Sequence, residues 1–306
     1  MDIGGTKTAF AVMVEREAAE RGVAEPGSDG AGPSQPWSAP TPPTLAGLLE
    51  LVGAGLSRAE ETAGEIACVG VAVPGLIAFE EGRIELCSNL PYLTGLGLRD
   101  ALERRLSRPV ALDNDANLAA YGEYAARRVA QSLVFVTIST GIGGGYVARD
   151  GAVLRGASGR ATDFGHIKLD AAGEPCYCGQ SGCWETISSG RFLAERSSRA
   201  LGRTLYTAEL FALAERGDAG AARLVRHGAQ VAGLALAGLA RAFDPEVLVL
   251  GGGVGLAPGL YGEVLRESYG AGLVNFGAVP LEPSRLGAHA GVFGAGWFGL
   301  REAQAG

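Results

Sequence analysis

"GHIKLDAAGEPCYCGQSGCWE" (Gly165–Glu185) holds three of the five cysteines of the chain and one of its three histidines. Cys176 and Cys178 flank a single residue, and Cys183 follows after "GQSG", whose glycines permit a tight turn. His166 stands ten residues before Cys176, far enough for a strand to turn back. Three thiolates and one imidazole make a closed tetrahedral zinc site, which is structural because no coordination position is left for a substrate. An odd cysteine count in a chain of 306 residues points to a reducing compartment and a metal rather than disulfides. Cys68 and Cys87 stand apart and read as core or surface thiols.

Outward from this segment, the composition is that of a globular protein, 47% hydrophobic and 19% charged, long enough for one large or two medium domains. A net charge of -7 argues against nucleic acid as a partner, because phosphate binding needs a basic face. The N-terminus has no basic segment followed by an apolar one, so no signal peptide is expected. "AQVAGLALAGLA" (Ala229–Ala240) is too short to span a bilayer and is followed by Arg241, so it reads as a buried helix and no membrane partner is expected. The expected location is cytoplasmic.

Short β-rich runs alternate with helical stretches, the pattern of an α/β protein. Thr8–Val14, Ile66–Gly75, Ser132–Thr140 and Glu246–Gly253 read as strands, and Leu98–Leu106 and Gly220–Phe243 as helices. Residues 24–43 carry six of the fourteen prolines and are expected to be a loop without chemistry. "MDIGGTKT" places a Gly-rich turn almost at the first residue, where a strand would normally precede it; either that strand is very short or the natural start lies upstream, and the second is expected.

Three such turns recur: "DIGGTKT" (Asp2–Thr8), "STGIGGG" (Ser139–Gly145) and "LGGGVG" (Leu250–Gly255). Glycine lets backbone N–H groups approach a phosphate closely, and the hydroxyls of Thr6, Ser139 and Thr140 add short donors. None fits the P-loop or completes a Rossmann fingerprint. In "ALDNDANLAAYGEY" (Ala111–Tyr124) a strand ending near Leu112 meets a helix beginning near Ala116, presenting Asp113, Asn114 and Asp115 where α/β proteins bind ligands. A carboxylate there can take a proton from an attacking hydroxyl; equally, an Asp or Asn there can simply cap the helix. Both roles can hold for different members of the trio.

Together "DIGGTKT", "VAVPGLI", "LDNDAN", "STGIGGG", "DFGHIKLDAAGEPCYCGQSGCWE" and "DPEVLVLGGG" resemble, in order and over nearly the whole chain, the ROK family of bacterial sugar kinases and sugar-responsive repressors. The resemblance implies an actin/hexokinase-like (ribonuclease H-like) α/β fold, two domains closing on an interdomain cleft that holds ATP and sugar. The implied division is residues 1–115, completed by about 290–306, and residues 116–289 with the zinc loop. It implies that Gly4, Gly5, Thr6 and Lys7 meet the nucleotide phosphates, and that Asp2 partners the hydration shell of the Mg²⁺ that travels with ATP. Thr140, Gly141 and Gly143 would form the second phosphate turn, with Gly251, Gly252 and Gly253 near the nucleotide. Asp115 corresponds to the general base, with Asn114 beside it on the sugar. Asn89, Asp163, His166 and Glu185 would hold further sugar hydroxyls, His166 giving one ring nitrogen to zinc and the other to the sugar. A homodimer or homotetramer is implied as well.

The chain departs from the family pattern at one point: "TDFGH" stands where Glu-x-Gly-His is usual, often preceded by Gly. Asp163 keeps the charge with about 1.5 Å less reach. The expected activity is phosphorylation of a hexose by ATP, glucose leading, with an N-acetylmannosamine or N-acetylglucosamine kinase as the alternative. From a different class stands a sugar-responsive repressor with a DNA-binding segment ahead of the sugar domain.

Overall fold

The computed structural model describes residues 1–13 and 33–305. Their contacts gather into two compact units, one within Met1–Val129, Val153–Ala161 and Ala288–Gly306, the other within Ala130–Ala152 and Thr162–Gly287.

In the first unit β1 (Asp2–Ile3), β2 (Lys7–Phe10), β3 (Trp37–Pro40) and β4 (Val69–Val73) share a sheet; β5 (Leu76–Ala78) and β6 (Arg83–Leu86) form a separate antiparallel pair. β7 (Val110–Asn114) completes the sheet in the order β3-β2-β1-β4-β7. β1, β4 and β7 run parallel, and β2 and β3 are antiparallel additions. β4, "VGVAV", is buried at every position, as befits a parallel strand covered on both faces. Helices α1 (Leu45–Ala63), α2 (Leu98–Leu106) and α3 (Asp115–Arg127) follow the strands; Leu48, Val52, Leu98 and Leu102 join Ile3, Val71 and Leu112 in the core.

The second unit has β8 (Leu133–Ile138) and β9 (Ile142–Val147) as a hairpin. There follow α4 (Trp184–Ser188), α5 (Gly190–Leu201), α6 (Thr207–Glu215), α7 (Ala219–Phe243), β10 (Val247–Gly251), α8 (Leu260–Gly272) and β11 (Leu281–Pro283). The sheet order is β11-β10-β8-β9, with β8, β10 and β11 parallel. Asp218 caps α7, accepting from the Ala221 N–H at 2.9 Å. Ala221, Val225, Ala229, Ala232, Leu236 and Ala240 fall three or four residues apart, so one stripe of α7 is buried. Among the described residues no helix is long and apolar enough to cross a membrane.

The chain then returns to the first unit as α9 (Ala290–Ala305), which packs on α3 and β4. A Cβ on Gly70 would fall on the Ala295 carbonyl, and one on Gly294 on the Leu118 carbonyl. Glycine at these positions lets backbones meet where side chains would hold them apart.

The strands expected from Ile66, Ser132 and Glu246 onward are β4, β8 and β10, and the helix over Leu98–Leu106 is α2. The strand expected over Thr8–Val14 ends at Phe10, with Val14 outside the described residues. Of the Pro-rich stretch 24–43, residues 24–32 lie outside the described residues, but Trp37–Pro40 is a strand, not a loop. It lies at the sheet edge, where a proline's missing N–H is tolerated, and Trp37 stacks on Phe10 at 5.5 Å. The expected boundary after residue 115 falls at the first residue of α3; α3 packs on α9 and lies in the first unit, as do residues 153–161.

Candidate active site

The first Gly-rich turn joins β1 to β2. The Gly4 N–H donates to the Lys7 carbonyl at 3.0 Å, and Gly5 lies against Asn89, 3.3 Å separating a would-be Cβ from the Asn89 Cβ. Gly5, Thr6, Lys7 and Asn89 are exposed. Thr41, in the stretch read as chemically silent, braces this turn: its hydroxyl donates to the Gly4 carbonyl at 2.7 Å and its N–H to the Thr6 carbonyl at 3.0 Å. Burial raises the Asp2 carboxyl above the ordinary carboxylate range, partly opposed by the positive charges of the chain's amino terminus and Lys7.

At the end of β7 the three candidates divide their labour. Asn114 caps α3, its Oδ1 accepting from the Ala116 and Asn117 N–H groups at 2.9 and 3.2 Å, while its Nδ2 donates to the Gly75 carbonyl at 3.1 Å. Asp113 is buried and accepts from the Asn114 N–H at 2.7 Å, the Asn117 amide at 3.2 Å and the Arg155 guanidinium. Asp115 accepts from the Ala116 N–H at 2.8 Å. Burial foremost, and the Asp2 charge second, push its pKa up to about 6. An acid so placed is a proton acceptor near neutral pH. Mg²⁺ takes one or two carboxylates beside substrate phosphates; Asp2, facing the like charge of Asp115, fits that demand.

In the second unit the β8–β9 turn carries Ser139, Thr140 and Gly141. The Ile142 N–H donates to Oε2 of Glu185 at 2.7 Å, and a Cβ on Gly141 would lie 2.7 Å from the same oxygen. The Ser139 and Thr140 carbonyls accept from the Gly190 and Arg191 N–H groups at the start of α5, at 2.8 and 3.1 Å. Gly143 lies in β9 opposite Thr137. After β10, Gly252 has φ of 81°, and a Cβ there would fall on the Ile138 carbonyl, which also receives the Val254 and Gly255 N–H groups at 3.0 and 2.9 Å. The turns at 139–145 and 251–255 therefore abut.

His166 closes a short 3₁₀ turn, Phe164–His166. Its Nδ1 lies 3.5 Å from the Cys176 sulfur, and the Cys178 and Cys183 sulfurs are 3.6 Å apart. All four ligand atoms fall within 4.8 Å of one another. Ordinary zinc bond lengths in a tetrahedron require N–S and S–S edges of about 3.6 and about 3.8 Å, so the quartet fits zinc. Tyr177, between two of these cysteines, sets its ring edge-on to His166 at 5.2 Å and lies close enough to feel the Glu185 carboxylate. Asp163 is exposed, and Thr162 before it takes φ of 66°, an uncommon conformation for a β-branched residue.

Thus the first unit carries Asp2, Gly4–Lys7, Asn89, Asn114 and Asp115, and the second carries Thr140, Gly141, Gly143, Asp163, His166, Glu185 and Gly251–Gly253. Residues 1–302 match the family model described as the ROK family. The chain belongs to the ROK family.

Its ROK relatives include the glucokinase of Halalkalibacterium halodurans, 34% identical over 262 residues (79% of this chain, 78% of the relative). The N-acetylmannosamine kinase of Citrobacter koseri is 36% identical over 273 residues, 86% of each chain. Among solved structures, the ROK hexokinase from Thermus thermophilus superposes with a TM-score of 0.86 at 38% identity, covering 100% of this chain and 98% of that one. A ROK glucokinase from Streptomyces griseus, in complex with glucose and AMPPNP, gives 0.77 at 29% identity and 98% coverage of both. The fold is the actin/hexokinase-like α/β fold of that family. Thr41 and Arg155 lie outside every motif of the sequence; Asp113 stands in "LDNDAN" and Tyr177 between the cysteines of "CYC", but neither motif specifies their partners.

Proposed function

We propose that this ROK protein transfers the γ-phosphoryl group of ATP to a hexose, glucose being the leading acceptor. The observation that carries the reading is Asp115: a carboxylate at the end of β7, next to the helix-capping Asn114, with its pKa raised to about 6. Asp115 takes the proton of the sugar's C6 hydroxyl as that oxygen forms a bond to the γ-phosphorus. The bond from phosphorus to the β,γ-bridging oxygen breaks, and ADP leaves with the electron pair. Asp2 would hold, through its hydration shell, the Mg²⁺ that comes with ATP, and that ion would supply neutralisation of charge on the phosphoryl oxygens. Backbone N–H groups of the turns at Gly4–Lys7, Thr140–Gly143 and Gly251–Gly253 cradle the phosphates.

Asn89, Asn114, Asp163, His166 and Glu185 hold the sugar hydroxyls. His166, whose Nδ1 faces Cys176, keeps Nε2 for a hydroxyl; zinc, held by His166, Cys176, Cys178 and Cys183, is structural. The protein works in the cytoplasm as a homodimer or homotetramer, without nucleic acid. The 36% identity to an N-acetylmannosamine kinase supports N-acetylhexosamine phosphorylation as the second reading. A coupled ADP-release assay with ATP and Mg²⁺ across glucose, mannose, fructose, N-acetylglucosamine and N-acetylmannosamine tests both. Glucose should turn over fastest; an N-acetyl sugar in first place favours the second reading, and no turnover with any sugar contradicts the kinase.

A further inference from the structure

Residues 153–161 form a short excursion of the chain into the first unit, between two segments of the second. Arg155 in this excursion makes a forked contact to Asp113: Nε lies 2.8 Å and Nη2 2.7 Å from Oδ2. The Asp113 side chain is 3% exposed and that of Arg155 is 22% exposed. The guanidinium carbon lies 3.6 Å from the centre of the Phe79 ring, so an aromatic face fixes the orientation of the fork. The other Asp113 oxygen, Oδ1, holds the Asn114 N–H and the Asn117 amide.

These contacts occupy both ends of one carboxylate. Its Oδ2 is tied to the excursion, and its Oδ1 grips the strand-to-helix junction on either side of Asp115. A buried carboxylate left without its cation is an uncompensated charge that turns toward water, and that rotation weakens the bonds its other oxygen accepts. We infer that Arg155 is a positioning residue for phosphoryl transfer: through Asp113 it holds the Asn114–Asp115 turn in the conformation the base requires. The inference rests on the assignment of Asp115 as that base. Arg155 itself touches neither substrate in this account.

The test compares wild type, Arg155→Gln and Arg155→Lys by melting temperature, by kcat and KM for glucose and ATP, and by hydrogen–deuterium exchange across residues 110–118. Below its melting transition, Arg155→Gln should lose about tenfold or more in kcat, the scale of a misplaced catalytic group, with KM for ATP changed by less than about twofold. The amides of residues 114–117 should exchange faster, and Arg155→Lys, which keeps the charge but not the fork, should recover part of both losses. If Arg155→Gln does not fold, Arg155→Lys against wild type carries the same comparison, with slower turnover and faster exchange expected. Unchanged kcat, or unchanged exchange over 114–117, overturns the inference. A wild type that phosphorylates no sugar strikes the kinase assignment instead, and the exchange result alone then decides whether Arg155 orders the turn.

Discussion

The carboxylate of Glu185 accepts the backbone N–H of Ile142 at 2.7 Å, inside the turn that carries Thr140 and Gly141. A residue assigned to the sugar is thus held by a turn assigned to phosphate, and Gly141 leaves the space in which the two meet. Gly141→Ala puts a methyl 2.7 Å from Oε2 and must displace the carboxylate. The KM for glucose should rise about tenfold, the worth of one charge-assisted hydrogen bond, while the KM for ATP moves less. Steady-state kinetics with each substrate varied in turn decide this; a larger effect on ATP would return Gly141 to a phosphate role alone.

Asp115 also dictates a pH profile. Its pKa in the folded protein, about 6, lies above the ordinary 3.8, and the base must be ionised to work. The kcat/KM for the sugar should therefore fall as pH drops through about 6. Stability runs the other way. Between the two pKa values the folded protein binds more protons than the unfolded chain, so Asp115 lowers stability as pH rises through that window. A kcat/KM flat from pH 7.5 to 5 would contradict the assignment.

Removal of the metal separates brace from chemistry. On the proposed structural zinc, a strong chelator, or Cys178→Ser, should weaken glucose affinity more than nucleotide affinity, because an ion on this quartet would fix His166 and the loop leading to Glu185. Calorimetric titration of each ligand reads the difference, and equal losses would mean general unfolding.

Close packing under α9 gives a stability prediction. Gly70→Ala drives a methyl into the Ala295 carbonyl, where no flexible side chain can yield. The melting temperature should fall, with a loss of about 3 kcal/mol in unfolding free energy.

What the sequence made legible was local. The gathering of His166 with Cys176, Cys178 and Cys183 showed in its spacing, the three turns in their glycines, and the strands β4, β8 and β10 in runs of apolar residues. The strand at Trp37–Pro40 was hidden because its prolines read as loop, and only pairing with β2 at the sheet edge makes it a strand. Nothing local announces that Thr41 braces the Gly4–Thr6 turn, or that Arg155 reaches Asp113 from 42 residues away. The different surroundings of Asp113, Asn114 and Asp115 also needed geometry. Asn114 takes the cap, Asp113 takes the arginine, and Asp115 keeps its carboxylate at the raised pKa.

The central claim is that Asp115 is the base of a hexose kinase. The most direct measurement is the turnover of Asp115→Asn beside its calorimetric affinity for glucose. The account predicts a fall in kcat of about 10²- to 10⁴-fold, the usual worth of a positioned base, with glucose binding largely retained. Turnover at the wild-type level would contradict it.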